Sequence, residues 1–322
     1  MTTTMRAMVA TGPGGPDVLH EAEVPLPVRA NAEVVVKVLA ASVNPIDAKT
    51  RAGRGVAGAI GSWPVILGND LAGIVVESPY EAHPLAVGHA VYGMTMVPRF
   101  GGSYAEFATV PELFLAPKPE SLSFEEAAAV PLAALTAWGM VVDVARAHEG
   151  QRMLIHAGAG GVGHLAVQLA SFFGAHVVAT CSARNVSFVR ELGAAHVIDY
   201  TSSRFDDEES GFDVVVDLVG NVHDDTGSRS LRVLRPGGLV INAPTGSWPT
   251  LHDEAEAAGV RATGYKVSPN GATLAVMSRM IEAGDLRVHV DRVLPLAEVA
   301  EAHRLLEGGH TRGKIVLRVD EA

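Results

Sequence analysis

The sequence predicts an α/β protein in which a doubly wound parallel sheet is inserted into a second, partly closed β domain. Three observations carry this expectation. Strand and helix signals alternate from Arg152 to about Ala283, as in parallel strands joined by helical crossovers. Ahead of that stretch, short apolar runs are separated by Gly/Pro turns, as in all-β domains. Behind it, V-D-R-V-L-P-L, A-E-V-A-E-A-H-R-L-L-E and T-R-G-K-I-V-L-R-V read as strand, helix and strand. The two ends are therefore expected to fold together. The boundaries are placed at 1–121 for the first part of the β domain, 122–268 for the parallel-sheet domain and 269–322 for the returning part. A length of 322 residues suits two domains.

The first third is read as an opening strand Met5–Ala10, a turn at T-G-P-G-G-P and a long strand Glu33–Val43. A further strand follows V-I-L-G-N-D, and A-V-Y-G-M turns through Gly101 and Gly102 into S-Y-A-E-F-A-T-V. The region Phe124–Val142 reads as helical. Ser123 with Glu126 makes a capping box, and Pro131 imposes a break. Strands are then expected at Arg152–His156, Ala175–Thr180, His196–Ile198, Val214–Leu218, Leu239–Ala243 and Arg261–Val267. Helices are expected at Val162–Phe173, Val186–Leu192, Ser230–Leu234 and Ala272–Ala283. Gly53–Trp63 and Trp248–Glu256 are left as loops, whose tryptophans either cover an aromatic ligand or close an apolar patch.

Composition narrows the function classes. Apolar residues make up 48% of the chain, ample for buried cores, and the formal charge of -11 argues against a nucleic-acid surface. The acidic run Asp206–Glu209 is expected to lie in a solvated loop. Cys181 is the single cysteine, so neither an intrachain disulfide nor a cysteine-built zinc site is available. A reducing, cytoplasmic setting fits this usage. Met1–Arg6 shows no basic segment leading into an apolar one, and no apolar run is long enough to span a bilayer. Thirteen histidines are present without H-E-x-x-H spacing, and no G-x-S-x-G elbow suggests a serine hydrolase.

The strongest single motif is R-M-L-I-H-A-G-A-G-G-V-G-H-L-A-V-Q-L-A. An apolar strand runs into Gly158, Gly160 and Gly163 in G-x-G-x-x-G spacing, and a helix follows. The first glycine permits the tight turn, the second a close approach of backbone to a pyrophosphate, and the third close helix–strand packing. The helix N-terminus adds amide donors and a partial positive field. An NAD site usually carries an acidic residue about 20 residues on. Here the second strand ends in T-C-S-A-R-N, where Ser182 and Arg184 offer a donor and a charged fork to a phosphate. NADPH is the expected cofactor.

A further stretch, V-N-P-I-D-A-K-T-R-A-G, crowds Asn44, Asp47 and Lys49 around a proline. Together with P-V-I-L-G-N-D-L-A-G-I-V, G-G-S-Y-A-E-F, A-A-A-V-P-L-A-A-L-T-A-W, H-A-G-A-G-G-V-G, L-G-A-A-H-V-I-D-Y and H-T-R-G-K-I-V-L, it forms a series running from about residue 5 to 319. The whole chain resembles the zinc-independent quinone oxidoreductase branch of the medium-chain dehydrogenase/reductase family. N-P-x-D-x-K combined with S-P-N-G at Ser268–Gly271 is most similar to its enone and alkenal oxidoreductases. The resemblance implies a GroES-like domain built from both chain ends, an inserted Rossmann domain and NADPH bound between them. It also implies assembly, usually into homodimers and sometimes into higher oligomers, and hydride transfer to quinones or to the C=C bond of α,β-unsaturated carbonyls. Thr136, Gly161, Val162, Tyr200, Val219, Gly220, Asn242 and Asn270 complete the implied cofactor set.

Zinc-dependent relatives place a ligand cysteine near Asn44 and have G-H-E where this chain has G-N-D at Gly68–Asp70, so the metal ligands are lost together. No metal site is expected. A lysine frequent in the 2′-phosphate loop is Asn185 here, with Arg184 as the alternative cation. An aspartate usual in L-G-A-D is Ala195, while Tyr200 is kept. Asp217 either borders the cofactor or anchors its own turn, and Asn270 either contacts ligand or forms a turn. Lys49 is expected beside the nicotinamide ribose, the substrate oxygen, or each in turn. Asn44 is expected to hold ribose or substrate, and Asp47 to orient Lys49 or cap the turn. Two other functions are compatible with the same motifs: carbonyl reduction to an alcohol, and a non-catalytic nucleotide-binding structural protein.

Overall fold

The structure is a computed structural model describing residues 3–99 and 101–320. The chain divides into two compact units. One comprises Met1–Leu132, Pro269–Gly284 and Val288–Ala322; the other comprises Ala133–Ser268 and Asp285–Arg287.

The first unit begins with β1 (Thr4–Ala10), β2 (Leu19–Pro25) and β3 (Glu33–Ser42). Helix α1 (Pro45–Arg51) follows, then β4 (Val65–Ile66), β5 (Asp70–Glu77), β6 (Ala90–Met94), β7 (Phe107–Pro111), β8 (Leu115–Pro117) and α2 (Phe124–Ala128). Strand β3, E-V-V-V-K-V-L-A-A-S, is buried along most of its length, and its β-branched run suits a central position. It pairs antiparallel with β5 and, through Glu33–Lys37, with β7. The box expected before α2 is formed: Glu126 N donates to Ser123 Oγ at 3.1 Å, and Ser123 N donates to Glu126 Oε2 at 2.9 Å. Because α2 belongs to the first unit, that unit runs to Leu132 rather than ending at 121.

The second unit carries α3 (Pro131–Trp138, which starts in the first unit), β9 (Arg152–Ile155), α4 (Gly163–Phe172), β10 (His176–Cys181), α5 (Val186–Glu191) and β11 (His196–Asp199). It continues with α6 (Phe205–Glu208), β12 (Phe212–Asp217), α7 (Thr226–Arg232), β13 (Leu234–Asn242), α8 (Leu251–Ala257) and β14 (Arg261–Gly264). Its six strands lie in the order β11-β10-β9-β12-β13-β14, all pairs parallel. This is the doubly wound order, with a reversal between β9 and β12 that places ligand sites at the strand C-termini. Pro131 opens α3, as the break required. Beyond Trp138 the helix widens into a π turn over Gly139–Val144. The Tyr265 hydroxyl lies 1.7 Å from where a Gly139 Cβ would stand, so only glycine admits it.

Three expectations change here. The helix expected at Ser230–Leu234 runs Thr226–Arg232, and Leu234 already belongs to β13. The loop expected at Trp248–Glu256 contains α8, and Trp248 is buried in the core against Gly227 rather than free to cover a ligand. The acidic run is not a solvated loop. Phe205–Glu208 is helical, Asp206 pairs with the buried Arg229, and Glu209 pairs with Arg152 at 2.7 Å and with His196.

The chain then returns to the first unit with α9 (Gly271–Glu282), β15 (Val290–Pro295), α10 (Val299–Glu307) and β16 (Lys314–Arg318). Strand β16 pairs with the end of β3 through Val316↔Ser42 and its neighbours. The larger sheet is thereby closed up with chain from both ends, β15-β16-β3-β5-β6-β8. A smaller sheet, β2-β1-β4, completes the unit.

Candidate functional site

In the first unit, the polar stretch beginning at Asn44 is a helix rather than a turn. Asn44 is the N-cap residue of α1 and Pro45 opens it, a position where the missing N–H costs nothing. Asp47 Oδ2 accepts from the Asn44 amide at 2.8 Å. Its other oxygen accepts from Asn69 Nδ2 at 2.6 Å, and the Tyr104 hydroxyl donates to Oδ2 at 3.3 Å. Asp47 is 2% exposed, and burial pushes its carboxyl up to about 7 against these donors.

Asn44 is equally enclosed. Its Nδ2 donates to Asp70 Oδ2 at 2.9 Å, and its Oδ1 accepts from Lys314 Nζ. Asp70 also accepts from Ser42 Oγ at 2.7 Å and from the Leu132 amide at 2.8 Å. Lys314 lies 3.5 Å from Asp70 Oδ2 and donates to the Val43 carbonyl at 3.2 Å. Burial lowers the Lys314 pKa, while Asp70 and Asp47 raise it. Behind Asp47, Tyr104 meets His303 Nε2 at 3.2 Å, and His303 Nδ1 meets Arg51 at 3.4 Å. Arg51 pairs with Glu307 at 2.7 Å. Burial and the adjacent Arg51 hold the His303 pKa down to about 3, so its ring is neutral.

This lattice fixes α1 from one side. Lys49, on the same helix, is half-buried; burial, then Arg54, lowers its pKa. Both Asp47 oxygens are engaged, by Asn44, Asn69 and Tyr104. Of the two roles expected for Asp47, the capping one is present in its bond to the Asn44 amide. Asn44 likewise spends its amide on Asp70 and Lys314, not on an exposed contact. Sequence reasoning missed Asp70, Lys314 and His303. Their one local signal is a polar residue inside an otherwise apolar strand or helix face.

In the second unit, the loop Ala157–Val162 joins β9 to α4. Ala157 has a φ of 51°, and its carbonyl accepts from the Gly160 amide at 2.9 Å. A Cβ on Gly163 would stand 2.1 Å from that carbonyl oxygen, so the start of α4 packs onto the turn only as glycine. A Cβ on Gly158 would meet Ala179 at 3.0 Å and Val189 at 3.2 Å. Gly160 differs: the one atom within 4 Å of its Cβ position is Ala157 O at 3.2 Å. Its open side is what a backbone approaching a pyrophosphate requires, beside Gly161, Val162 and Gly163 at the start of α4. His164 is buried with Nδ1 3.0 Å from the Gly160 carbonyl, inside the helix start.

The remaining candidates gather at the strand C-termini. Cys181 pairs with Asp199 in register, and the Tyr200 amide donates to the Cys181 carbonyl at 3.1 Å. Ser182, exposed Arg184 and the exposed Tyr200 ring therefore share one corner, the place expected for an adenosine phosphate. Asn185 Nδ2 donates to Ser182 Oγ at 3.2 Å. Asp217 anchors its own turn: Oδ1 accepts from the Val219 amide at 2.9 Å and the Gly220 amide at 2.8 Å. Its Oδ2 accepts from Asn242 at 2.7 Å. Gly220 has a φ of 81°, and a Cβ there would strike Ser247. Thr136 is buried on α3. Asn270 caps α9 through the Thr273 amide at 3.0 Å, which accounts for its side chain. Among the described residues, no group of three or more His, Cys, Asp or Glu side chains is placed to hold a metal ion.

The chain is similar to known oxidoreductases over nearly its whole length. A family model described as alcohol dehydrogenase GroES-like domain matches residues 30–120, and one described as zinc-binding dehydrogenase matches residues 192–317. A 2-methylene-furan-3-one reductase of Solanum lycopersicum is 36% identical over 97% of this chain and 79% of its own. A chloroplastic NADPH-dependent alkenal/one oxidoreductase of Arabidopsis thaliana gives the same identity and coverage. The solved quinone oxidoreductase from Coxiella burnetii is 37% identical, with a TM-score of 0.92 over 98% of this chain and 99% of that one. A mycobacterial structure complexed with NADPH is 29% identical, with a TM-score of 0.86 over 98% and 100%. Despite the name of the second family model, the Asn44 and Asn69 side chains are bonded to Asp70, Lys314 and Asp47 within the protein. The chain belongs to the zinc-independent quinone oxidoreductase branch of the medium-chain dehydrogenase/reductase family.

Proposed function

We propose that the chain is an NADPH-dependent oxidoreductase that passes hydride to a quinone or to the C=C bond of an α,β-unsaturated carbonyl. The observation that carries the reading is Lys49: a half-buried ammonium on a helix locked by Asn44 and Asp47, in a chain that also has an open glycine loop. The names of the relatives, a 2-methylene-furan-3-one reductase, an alkenal/one oxidoreductase and a quinone oxidoreductase, point the same way.

Bound NADPH supplies the hydride. Gly158–Gly163 would hold its pyrophosphate, with Ser182, Arg184 and Tyr200 at the adenosine 2′-phosphate. Val219, Gly220 and Asn242 would line the path toward the nicotinamide. Hydride addition at the β-carbon of an enone builds enolate charge on the oxygen. Lys49 serves as donor to that oxygen or to the nicotinamide ribose, and a positioned cation there favours the transition state. Asn44 and Asp47 act as positioning residues for α1. The proton at the α-carbon comes from solvent. The partner in this reading is a second copy of the chain, and the setting is cytoplasmic, consistent with one buried cysteine.

The test is NADPH oxidation with a simple enone and a simple quinone, followed by product analysis. C=C reduction retains the carbonyl. An alcohol product would shift the assignment to a carbonyl reductase, and NADPH binding without reduction of any quinone, enone or alkenal would leave a nucleotide-binding structural protein.

A further inference from the structure

The residue ahead of the glycine loop, His156, is 1% exposed, and its ring is enclosed by Phe205 at a centroid distance of 4.7 Å. Burial pushes its pKa down to about 4, outweighing the nearby Asp217, so the imidazole is neutral. Nε2 lies 2.9 Å from Ser230 Oγ, and Nδ1 lies 3.1 Å from Thr180 Oγ1.

Hydroxyl stoichiometry fixes the direction of these bonds. Ser230 Oγ donates its one proton to the Thr226 carbonyl at 2.7 Å, so it accepts from His156 Nε2–H. A neutral ring protonated at Nε2 has Nδ1 as an acceptor, so Thr180 Oγ1 donates to it. Thr180 Oγ1 is then left with lone pairs, and it accepts from the Ala157 amide at 3.3 Å. Every member of the chain Ala157 N–H, Thr180 hydroxyl, His156, Ser230 hydroxyl and Thr226 carbonyl is satisfied in one sense. Its first link is the residue of the loop held at a φ of 51°, whose carbonyl accepts from Gly160 and abuts Gly163.

We infer that His156 and Thr180 are positioning residues for the dinucleotide loop, tying its left-handed first residue to α7 through a one-directional hydrogen-bond chain. The chain takes up the Ala157 amide and keeps the loop in the shape that turns its later amides toward a phosphate. This rests on the glycine loop being the NADPH site.

Thr180→Val tests it with little change of shape in a strand interior, and Thr180→Ser restores the hydroxyl. In the nucleotide-free protein, Thr180→Val should speed amide hydrogen exchange at Ala157, and Thr180→Ser should return it to the wild-type rate. With nucleotide, the NADPH Kd should rise roughly three- to tenfold in Thr180→Val, the effect of one hydrogen bond, and recover in Thr180→Ser. The unfolding midpoint should fall in Thr180→Val, because His156 Nδ1 and the Ala157 amide lose their partner, and return in Thr180→Ser, while kcat at saturating NADPH should change little. His156→Gln should raise the Kd in the same direction. Unchanged exchange at Ala157 in Thr180→Val, or a Thr180→Ser variant no better than Thr180→Val, overturns the inference. A wild-type chain that binds no NADPH overturns the cofactor reading instead, while the exchange experiment still decides the hydrogen-bond chain.

Discussion

The Lys314 ammonium donates to Asn44 Oδ1 in the interior of the first unit, 3.5 Å from an Asp70 oxygen that the same Asn44 also touches. A buried cation of this kind is sustained by its partners, and the reverse holds for Asp70. Lys314→Met should therefore leave a carboxylate without its counter-charge and destabilise the fold by about 3–5 kcal/mol. Removing both charges in Lys314→Met/Asp70→Asn should recover at least half of that loss, because the cost lies in the unpaired charge. Denaturant midpoints at constant slope measure the singles Lys314→Met and Asp70→Asn and the double variant. A double variant as unstable as the sum of the two singles would show that the pair is not coupled.

Asp47 makes stability depend on pH in the sense opposite to a salt-bridged carboxylate. Its folded-state pKa is raised from 3.8 to about 7 by burial. Between those values the folded chain holds a proton that the unfolded chain has released. Stability from this group is present below pH 4 and is lost as pH rises toward about 7, at about 1.4 kcal/mol per pKa unit. Asp47→Asn removes the titration, so the variant should gain on the wild type across that interval whatever its offset at low pH. Unfolding curves from pH 4 to 8 read this directly, and parallel profiles would show that Asp47 ionises freely when folded.

Which parts of this molecule were legible in advance follows from the range of the forces involved. The β9–α4 unit, the break at Pro131 and the Ser123 cap are local, and each was readable from neighbouring residues. Helix α8 was not: it buries only Leu251 and Ala255, too thin an apolar stripe to stand out among T-L-H-D-E-A-E-A. The lattice around α1 was illegible for a different reason. Ser42 pairs with Asp70 on one side and Val316 on the other, and this register brings Lys314 beside Asn44 from the far end of the chain. Nothing in one sequence reports that register. The histidines show the same limit, since His156 and His303 read as isolated residues and are each the middle of a hydrogen-bond chain.

Two glycines of the loop should separate packing from ligand contact. In Gly163→Ala the new methyl would lie 2.1 Å from the Ala157 carbonyl oxygen, so the turn or α4 must move. Loss of both thermal stability and NADPH affinity is expected. In Gly160→Ala the nearest atom is 3.2 Å away and the backbone is not left-handed, so the fold should tolerate it within about 1 kcal/mol. NADPH affinity should still fall by tenfold or more, because the methyl occupies the space a pyrophosphate needs. Calorimetry of unfolding and of binding on the two variants distinguishes the cases. A Gly160→Ala protein that binds NADPH like the wild type would move the pyrophosphate elsewhere.

Lys49 is where the reading of function is most exposed. Asn44, Asp47, Asp70 and Lys314 hold the start of α1 through bonds of their own, so truncating the Lys49 side chain should leave the helix in place. Lys49→Ala is expected to shift stability by less than about 1 kcal/mol and to lower kcat with an enone by about 100-fold, the scale of losing one donor to a developing oxyanion. Lys49→Arg keeps a cation but presents a broad planar fork in place of a compact ammonium, and an intermediate kcat is expected. The pH profile adds an independent sign. Burial and Arg54 lower the Lys49 pKa from its ordinary 10.5, disfavouring the ammonium that acts as donor. Activity should therefore decline toward alkaline pH below that value, and the decline should vanish in Lys49→Ala. Unchanged turnover in Lys49→Ala with both enones and quinones would remove Lys49 from the reaction and leave α1 as scaffold alone.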